Sequence, residues 1–367
     1  MFQQNQILKK VASCALIAGL FAGAAITAQA TGIDRSSMTP FITSGALPDT
    51  PAAHVDANTA SSAFSGVVSI NIVSSAGSFI CSGALVGKRS VVSAGHCVDA
   101  DGNGHLVDIN AAGNVVRVVF NAGPNLGPTN NGRAVITASA ISMNPNYAGF
   151  GNCPAAAPAG SFCLNDDVAV VTLSQDAPPS AKIYRVGATP ITAGQHIVMA
   201  GYGTSGDGTN GFYISPNFRV KRTGENNMEA FDLDDEQGLV AGPQEVWYAD
   251  FDGAGKDTFC NFGIVCNSGL GNSRESGIGG GDSGGPSFYI SDIGEYVLIG
   301  NNTFGSGGAG AGKFGSYFGG MVLSSYQDYL YSATNGEIRQ AIPEPASIAM
   351  LGLGLAMLLV MRRRSKV

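Results

Sequence analysis

Three short segments hold residues whose types, taken together, could break an acyl bond. Val91-Val92-Ser93-Ala94-Gly95-His96-Cys97 offers an imidazole, and Asn165-Asp166-Asp167-Val168-Ala169-Val170-Val171 offers two carboxylates. Gly280-Gly281-Asp282-Ser283-Gly284-Gly285-Pro286 offers a hydroxyl in a glycine-rich turn. A serine hydroxyl is a weak nucleophile near neutral pH and needs a base to take its proton. Imidazole titrates in that range and can accept the proton and return it. A buried carboxylate beside the imidazole fixes its tautomer and stabilises the imidazolium. Asp166 and Asp167 both stand where that carboxylate is needed.

These groups are far apart in the chain, so the fold has to bring them together. The runs Gly66–Val73, Ser78–Val86, Ser90–Ser93, Val115–Phe120, Ala134–Met143, Val168–Leu173, His196–Ala200, Ser287–Ile290 and Tyr296–Ile299 are β-branched or alternating, between Gly, Asn and Asp breaks. Helical spacing is scarce before Val322–Tyr331. Gly makes up 52 of 367 residues, about twice the usual share, and charged residues are 13%, about half of it. This is the composition of a loop-rich all-β protein. The 44% apolar content excludes wholesale disorder. The acidic balance, with no Lys/Arg-rich patch in the body, excludes nucleic acid as a partner. Residues 31–63 lack periodicity and are predicted to be a loosely packed N-terminal segment.

Both ends read as addresses. Lys9 and Lys10, the apolar run from Val11 to Ile26 and the small residues of Ala28-Gln29-Ala30 form a signal peptide over residues 1–30. At the other end Pro343-Glu344-Pro345 precedes a charge-free run, 346–361, and the basic cluster Arg362-Arg363-Arg364 with Lys366. Residues 346–361 would span about 24 Å as a helix, a short transmembrane segment. Residues 343–367 resemble the PEP-CTERM sorting signal. That resemblance implies a Gram-negative bacterium, secretion or surface display, transient inner-membrane retention and processing by an exosortase-type enzyme. The formal charge of −7 understates the body, since residues 31–342 hold 14 basic and 26 acidic residues, a balance of −12. Cys14 falls in the signal, and the remaining six cysteines allow fifteen connectivities, of which pairing between neighbours is the simplest. Export places them where disulfides persist.

The three segments in the order His, Asp, Ser resemble the trypsin/chymotrypsin family of serine proteases, and the resemblance extends over residues 64–335. Asn144-Pro145-Asn146-Tyr147, Gly201-Tyr202-Gly203 and Ser324–Tyr331 match further segments of that family. It implies two antiparallel six-stranded β-barrels of chymotrypsin type, about 64–185 and 186–335, with a C-terminal helix. It assigns His96 as general base, Asp167 rather than Asp166 as the orienting carboxylate, and Ser283 as nucleophile. The N–H groups of Gly281 and Ser283 become the oxyanion hole. Thr303, Phe304 and Gly305 line the substrate cleft, and Gly277 takes the position at the base of the specificity pocket. The family's first disulfide maps to Cys81–Cys97, and Cys153–Cys163 and Cys260–Cys266 are expected to pair locally, each with its neighbour. The implied partner is a polypeptide, and the implied enzyme is a monomer that requires no cofactor.

Departures from the family are informative. No Ile-Val-Gly-Gly start appears near residues 45–60, where His54–Val55 is the candidate for an activating cleavage. In the family the new amine pairs with the residue matching Asp282. Gly277 supplies no carboxylate, so arginine and lysine side chains are not selected there, although Glu275 is close in sequence. Asp99, Asp101 and Asn103 with Gly104 resemble the start of a calcium loop without its closing glutamate, so a structural calcium is entertained there. Asp250, Asp252 and Asp257 form a looser acidic group. A second reading is a surface-displayed binding or matrix protein that keeps a protease-like scaffold without turnover.

Overall fold

Valine and isoleucine at every second position let a strand bury one complete face. In β1 (Val67–Ser74), Val68, Ile70 and Ile72 do this, and β2 (Gly77–Leu85) pairs antiparallel to it with Ile70 opposite Cys81. With β3 (Ser90–Ser93), β4 (Val115–Phe120), β5 (Ala134–Met143) and β6 (Ala169–Leu173) they close into a barrel of order β1-β2-β3-β6-β5-β4. The computed structural model describes residues 42–99, 101–121, 133–266, 269–305 and 312–341. The signal peptide and the sorting segment, including 346–361, lie outside these residues. Among the described residues no helix is long and apolar enough to cross a membrane.

The second lobe contains β7 (Val186–Gly187), β8 (Gln195–Gly201), β11 (Arg222–Met228), β12 (Ala230–Leu233), β13 (Gln244–Asp250), β14 (Pro286–Ile290), β15 (Tyr296–Gly305), β16 (Tyr317–Val322) and β17 (Gln340–Ala341). A separate hairpin, β9 (Ser205–Asp207) and β10 (Gly211–Ile214), stands beside it. The large sheet runs β11-β8-β14-β15-β16-β13-β12, with β7 beside β15 and β17 beside β7. Its ladder therefore stays open, unlike the closed six-stranded barrel that the resemblance implies for both lobes. The reason is local: β11 and β12 follow each other across the single residue Glu229, so the chain itself joins the two edges. Among the described residues three short helices complete the structure: α1 (Gly95–Val98), α2 (Thr258–Asn261) and α3 (Gln327–Ala333), the last preceded by a 3-10 turn over Leu323–Tyr326.

The interior divides into three apolar clusters. One fills the first barrel, one fills the second lobe, and one lies between them. β3 and β6 serve two clusters at once. Val91 and Val171 point into the first barrel, while Val92, Val168 and Val170 pack against Tyr184, Ala200, Phe288 and Leu330 of the second lobe. Both faces are buried, which explains runs without polar alternation.

The N-terminal segment is not loosely packed over its described part. Ile42 is fully buried in the second-lobe core. The Thr43 N–H donates to the Gly277 carbonyl (3.1 Å) and the Ser44 N–H to that of Gly206 (3.0 Å). Further along, the Asp56 N–H donates to the Lys221 carbonyl (2.9 Å). The buried Lys221 ammonium lies 3.6 Å from the Asp56 carboxylate and donates to the Phe64 carbonyl at 2.6 Å. Hydrogen bonding to the backbone and single anchoring side chains hold this segment, and neither leaves a periodic pattern.

Candidate active site

The cleft between the lobes collects the three segments. Antiparallel pairing sets Ser93, at the end of β3, opposite Ala169, at the start of β6. The residues just beyond these ends, α1 on one side and Asp167 on the other, are thereby brought together. Asp167 is fully buried, and both of its oxygens face His96. Oδ1 accepts the His96 backbone N–H at 2.7 Å, and Oδ2 lies 2.7 Å from ring Nδ1. An Nδ1–H held this way leaves Nε2 as the basic nitrogen. Asp166, the rival in sequence, sits at φ +65° and turns to the opposite side, where Asn144 Nδ2 donates to its carboxylate at 3.2 Å.

Ser283 is half-buried at the rim of the second lobe. The turn carrying it approaches the first barrel closely, and glycine is what permits this. A Cβ on Gly284, at φ +75°, would stand 2.1 Å from Ser93 Oγ and 2.5 Å from the Ser82 carbonyl oxygen. Gly281 has φ +99°, a conformation other residues rarely adopt. Cys97, bridged to Cys81, places its sulfur 3.9 Å from His96 Nε2 and 3.7 Å from the Ser283 carbonyl oxygen, so both residues border the same disulfide. Among the described residues neither the Gly281 nor the Ser283 N–H donates a hydrogen bond, which leaves both available to an oxyanion.

Two residues that the sequence did not single out hold this geometry. Ser82 is fully buried on β2. Its N–H donates to the Ser283 carbonyl (2.8 Å), its Oγ donates to the Gly281 carbonyl (2.6 Å), and the same Oγ accepts the Tyr202 N–H (3.0 Å). Asn301, fully buried on β15, donates from Nδ2 to the carbonyls of Ser93 (3.0 Å) and Asp167 (3.1 Å), across the lobe boundary. Phe150 is a third unpredicted neighbour. It is partly exposed, with its ring 4.9 Å from that of His96. Only its proximity to the Asn144–Tyr147 segment could have flagged it.

The remaining predicted residues are distributed as follows. Thr303 is buried on β15, Phe304 packs on Tyr248 with centroids 5.3 Å apart, and Gly305 is exposed. Gly277 is buried, its N–H donating to Thr43 Oγ1 at 3.1 Å. Glu275 is almost wholly buried and accepts the N–H groups of Leu270 (2.7 Å) and Asp252 (2.8 Å), so it restores no charge beside Gly277. Cys153 is bonded to Cys163 and Cys260 to Cys266. The Asp99 loop is held by its own backbone. Asp99 accepts the N–H groups of Asp101, Gly102 and Asn103 on Oδ1 and of Gly104 on Oδ2, the donor set of a self-capped turn.

Asp282 is fully buried and its carboxyl is pushed up to about 7, chiefly by loss of hydration. The N–H groups of Gly203 (3.0 Å) and Gly279 (3.3 Å) and the charge of Arg222 work against that rise. Val55, of the candidate pair His54–Val55, is 43% exposed and bridges Arg222. The Ile42 carbonyl accepts from Ser205 Oγ at 2.7 Å, and the next residue pairs with Gly277. Both contacts lie two residues along the chain from the groups that donate to Asp282.

Residues 55–224 match the family model described as Trypsin, and residues 341–364 match the PEP-CTERM protein-sorting motif. No curated protein matches the chain.

Proposed function

We propose that this chain, which matches the Trypsin family model over residues 55–224 and carries an export-sorting motif, is a surface-directed serine endopeptidase of the trypsin family acting through Ser283, His96 and Asp167. The observation that carries the reading is the fully buried Asp167, with both oxygens on His96, in a cleft that also receives Ser283. In the forward step Ser283 Oγ attacks the substrate carbonyl while His96 Nε2 takes its proton. The Gly281 and Ser283 N–H groups hold the oxyanion. Collapse expels the amine, protonated by His96, and leaves an acyl-enzyme that water hydrolyses by the same sequence. The substrate is a polypeptide lying beside Thr303, Phe304 and Gly305. Its side chain next to the cut carries no positive charge, because Gly277 offers no carboxylate.

We read the mature chain as beginning at Ile42, where a new amine would add a second cation, beside Arg222, acting on the buried Asp282. The C-terminal motif would be processed by an exosortase-type enzyme after transient retention through 346–361.

A fluorophosphonate probe tests the triad. The exported chain is expected to be labelled at Ser283, and the Ser283→Ala variant is not. Folded wild-type protein that resists labelling, with Ile42 at its N-terminus, would refute turnover and leave a surface-displayed binding protein.

A further inference from the structure

Asp166, excluded from contact with His96, has a different set of neighbours. Carboxylate oxygens of Asp166, Asp235, Glu236 and Glu245 all lie within 4.8 Å of one another. Asp166 belongs to the first lobe, immediately before Asp167. Asp235 and Glu236 follow β12, and Glu245 is on β13 in the second lobe. Three of the four are nearly inaccessible, with exposures of 3% for Asp166, 3% for Asp235 and 6% for Glu245, while Glu236 opens to solvent. Within this group Asp235 Oδ1 is buried with no hydrogen-bond partner among the described residues. A buried carboxylate oxygen without a donor is unfavourable unless a proton or a cation neutralises it.

The surroundings agree. The charges acting on Asp166 come from Glu245, Glu236, Asp235 and Asp234, and those acting on Glu245 from Asp234, Asp235 and Glu236, all of one sign. Neutral donors orient the group from outside: Asn144 Nδ2 to Asp166 Oδ1 at 3.2 Å, and Asn165 Nδ2 to Glu245 Oε2 at 2.8 Å.

We propose that Asp166, Asp235, Glu236 and Glu245 form a calcium site that ties the two lobes together directly behind Asp167. The spacing suits that ion. Oxygens about 2.4 Å from a calcium on opposite sides are about 4.8 Å apart, and calcium accepts six to eight oxygens in flexible geometry. Magnesium retains most of its water and takes one or two carboxylates, so four converging carboxylates favour calcium. By holding Asp166, the ion fixes the backbone that aims Asp167 at His96. This site shares no residue with the Asp99 loop, and its binding does not depend on the protease reading.

The exported chain, stripped with a chelator and dialysed, is titrated with calcium by calorimetry and melted with and without it. One ion per chain is expected, and the melting midpoint should rise by about 5 °C with calcium at a hundredfold excess over its Kd. Asp235→Asn should abolish both effects. Its metal-free form should melt no lower than the metal-free wild type, because one repelling charge has gone. Glu236→Gln, at the solvent edge, should weaken binding about tenfold or more while leaving the fold intact. Asp252→Asn, in the other buried acidic group, should bind calcium as the wild type does. A wild type that neither binds nor is stabilised would overturn the proposal, as would retention of the shift in Asp235→Asn or its loss in Asp252→Asn.

Discussion

Ser82 gives the most direct test of how the oxyanion site is held. The peptide unit between Gly281 and Asp282 lies between the two N–H groups proposed to bind the oxyanion, and Ser82 Oγ donates to its carbonyl at 2.6 Å. Ser82→Ala keeps the backbone bond to Ser283 but strands two buried groups, the Gly281 carbonyl and the Tyr202 N–H. Each unsatisfied buried group costs about 1–3 kcal/mol, so a loss of roughly 2–4 kcal/mol in stability is expected after partial relaxation. The effect on chemistry is separable. Losing an oxyanion donor outright costs about a hundredfold to a thousandfold in kcat. A peptide loosened but not removed should cost a fraction of that, about tenfold, or about 1.4 kcal/mol of barrier. Because the contact matters when charge develops on the substrate oxygen, KM should change by less than about twofold. Steady-state kinetics on the best peptide from a mixed library, with thermal melts of the same samples, read both quantities. A variant that melts lower yet retains wild-type kcat would show that Ser82 supports the fold and not the oxyanion site.

Other outcomes follow from neighbouring contacts. Asn301→Leu removes the donor to the Ser93 and Asp167 carbonyls and should lower kcat at least about tenfold; a wild-type kcat in a folded variant would show that the lobes keep their register without it. Protein whose N-terminus is Ile42 should be more active than protein carrying upstream residues, and acetylating that terminus should reverse the gain; equal activity in all three forms would discard the proposed start. In the chain with upstream residues, Asp282 titrates near 7 rather than in the usual carboxylate range, so the folded state holds its proton longer than the unfolded state does. Its contribution is full below the unfolded carboxylate range and is lost as pH rises through about 7, a fall of about 4 kcal/mol that Asp282→Asn should flatten in pH-dependent denaturant titrations.

What could be read from the sequence followed the physics of each element. β3 and β6 were legible because both faces are apolar, and the glycine-rich turn at Ser283 because few conformations tolerate so many glycines for another reason. β11 was not. Its burial alternates along Arg222, Gly224, Asn226 and Met228, but the inward residues are mostly polar or absent side chains, so the alternation never appears as hydrophobicity. Asn226 is tolerated inside because its Nδ2 donates to the carbonyls of Asp250 (2.9 Å) and Ser276 (3.0 Å). β16 was hidden by glycines that the structure requires: a Cβ on Gly320 would sit 1.7 Å from the Asn301 carbonyl oxygen. Ile42 carries no sequence signal, because a short anchoring contact leaves no periodic pattern. Ser82 and Asn301 act through backbone carbonyls in another lobe, which no local pattern encodes.

The apolar cluster shared by the lobes has a consequence for how the molecule fails. His96 and Asp167 belong to one lobe and Ser283 to the other, and between the lobes Val92, Val168 and Val170 share an apolar cluster with Phe288 and Leu330. Neither half, cut out alone, could shield that surface from water, so fragments should be insoluble instead of half-functional. Inactivation by heat or denaturant should therefore track global unfolding in one transition, with no state that is folded in its halves yet silent at the cleft.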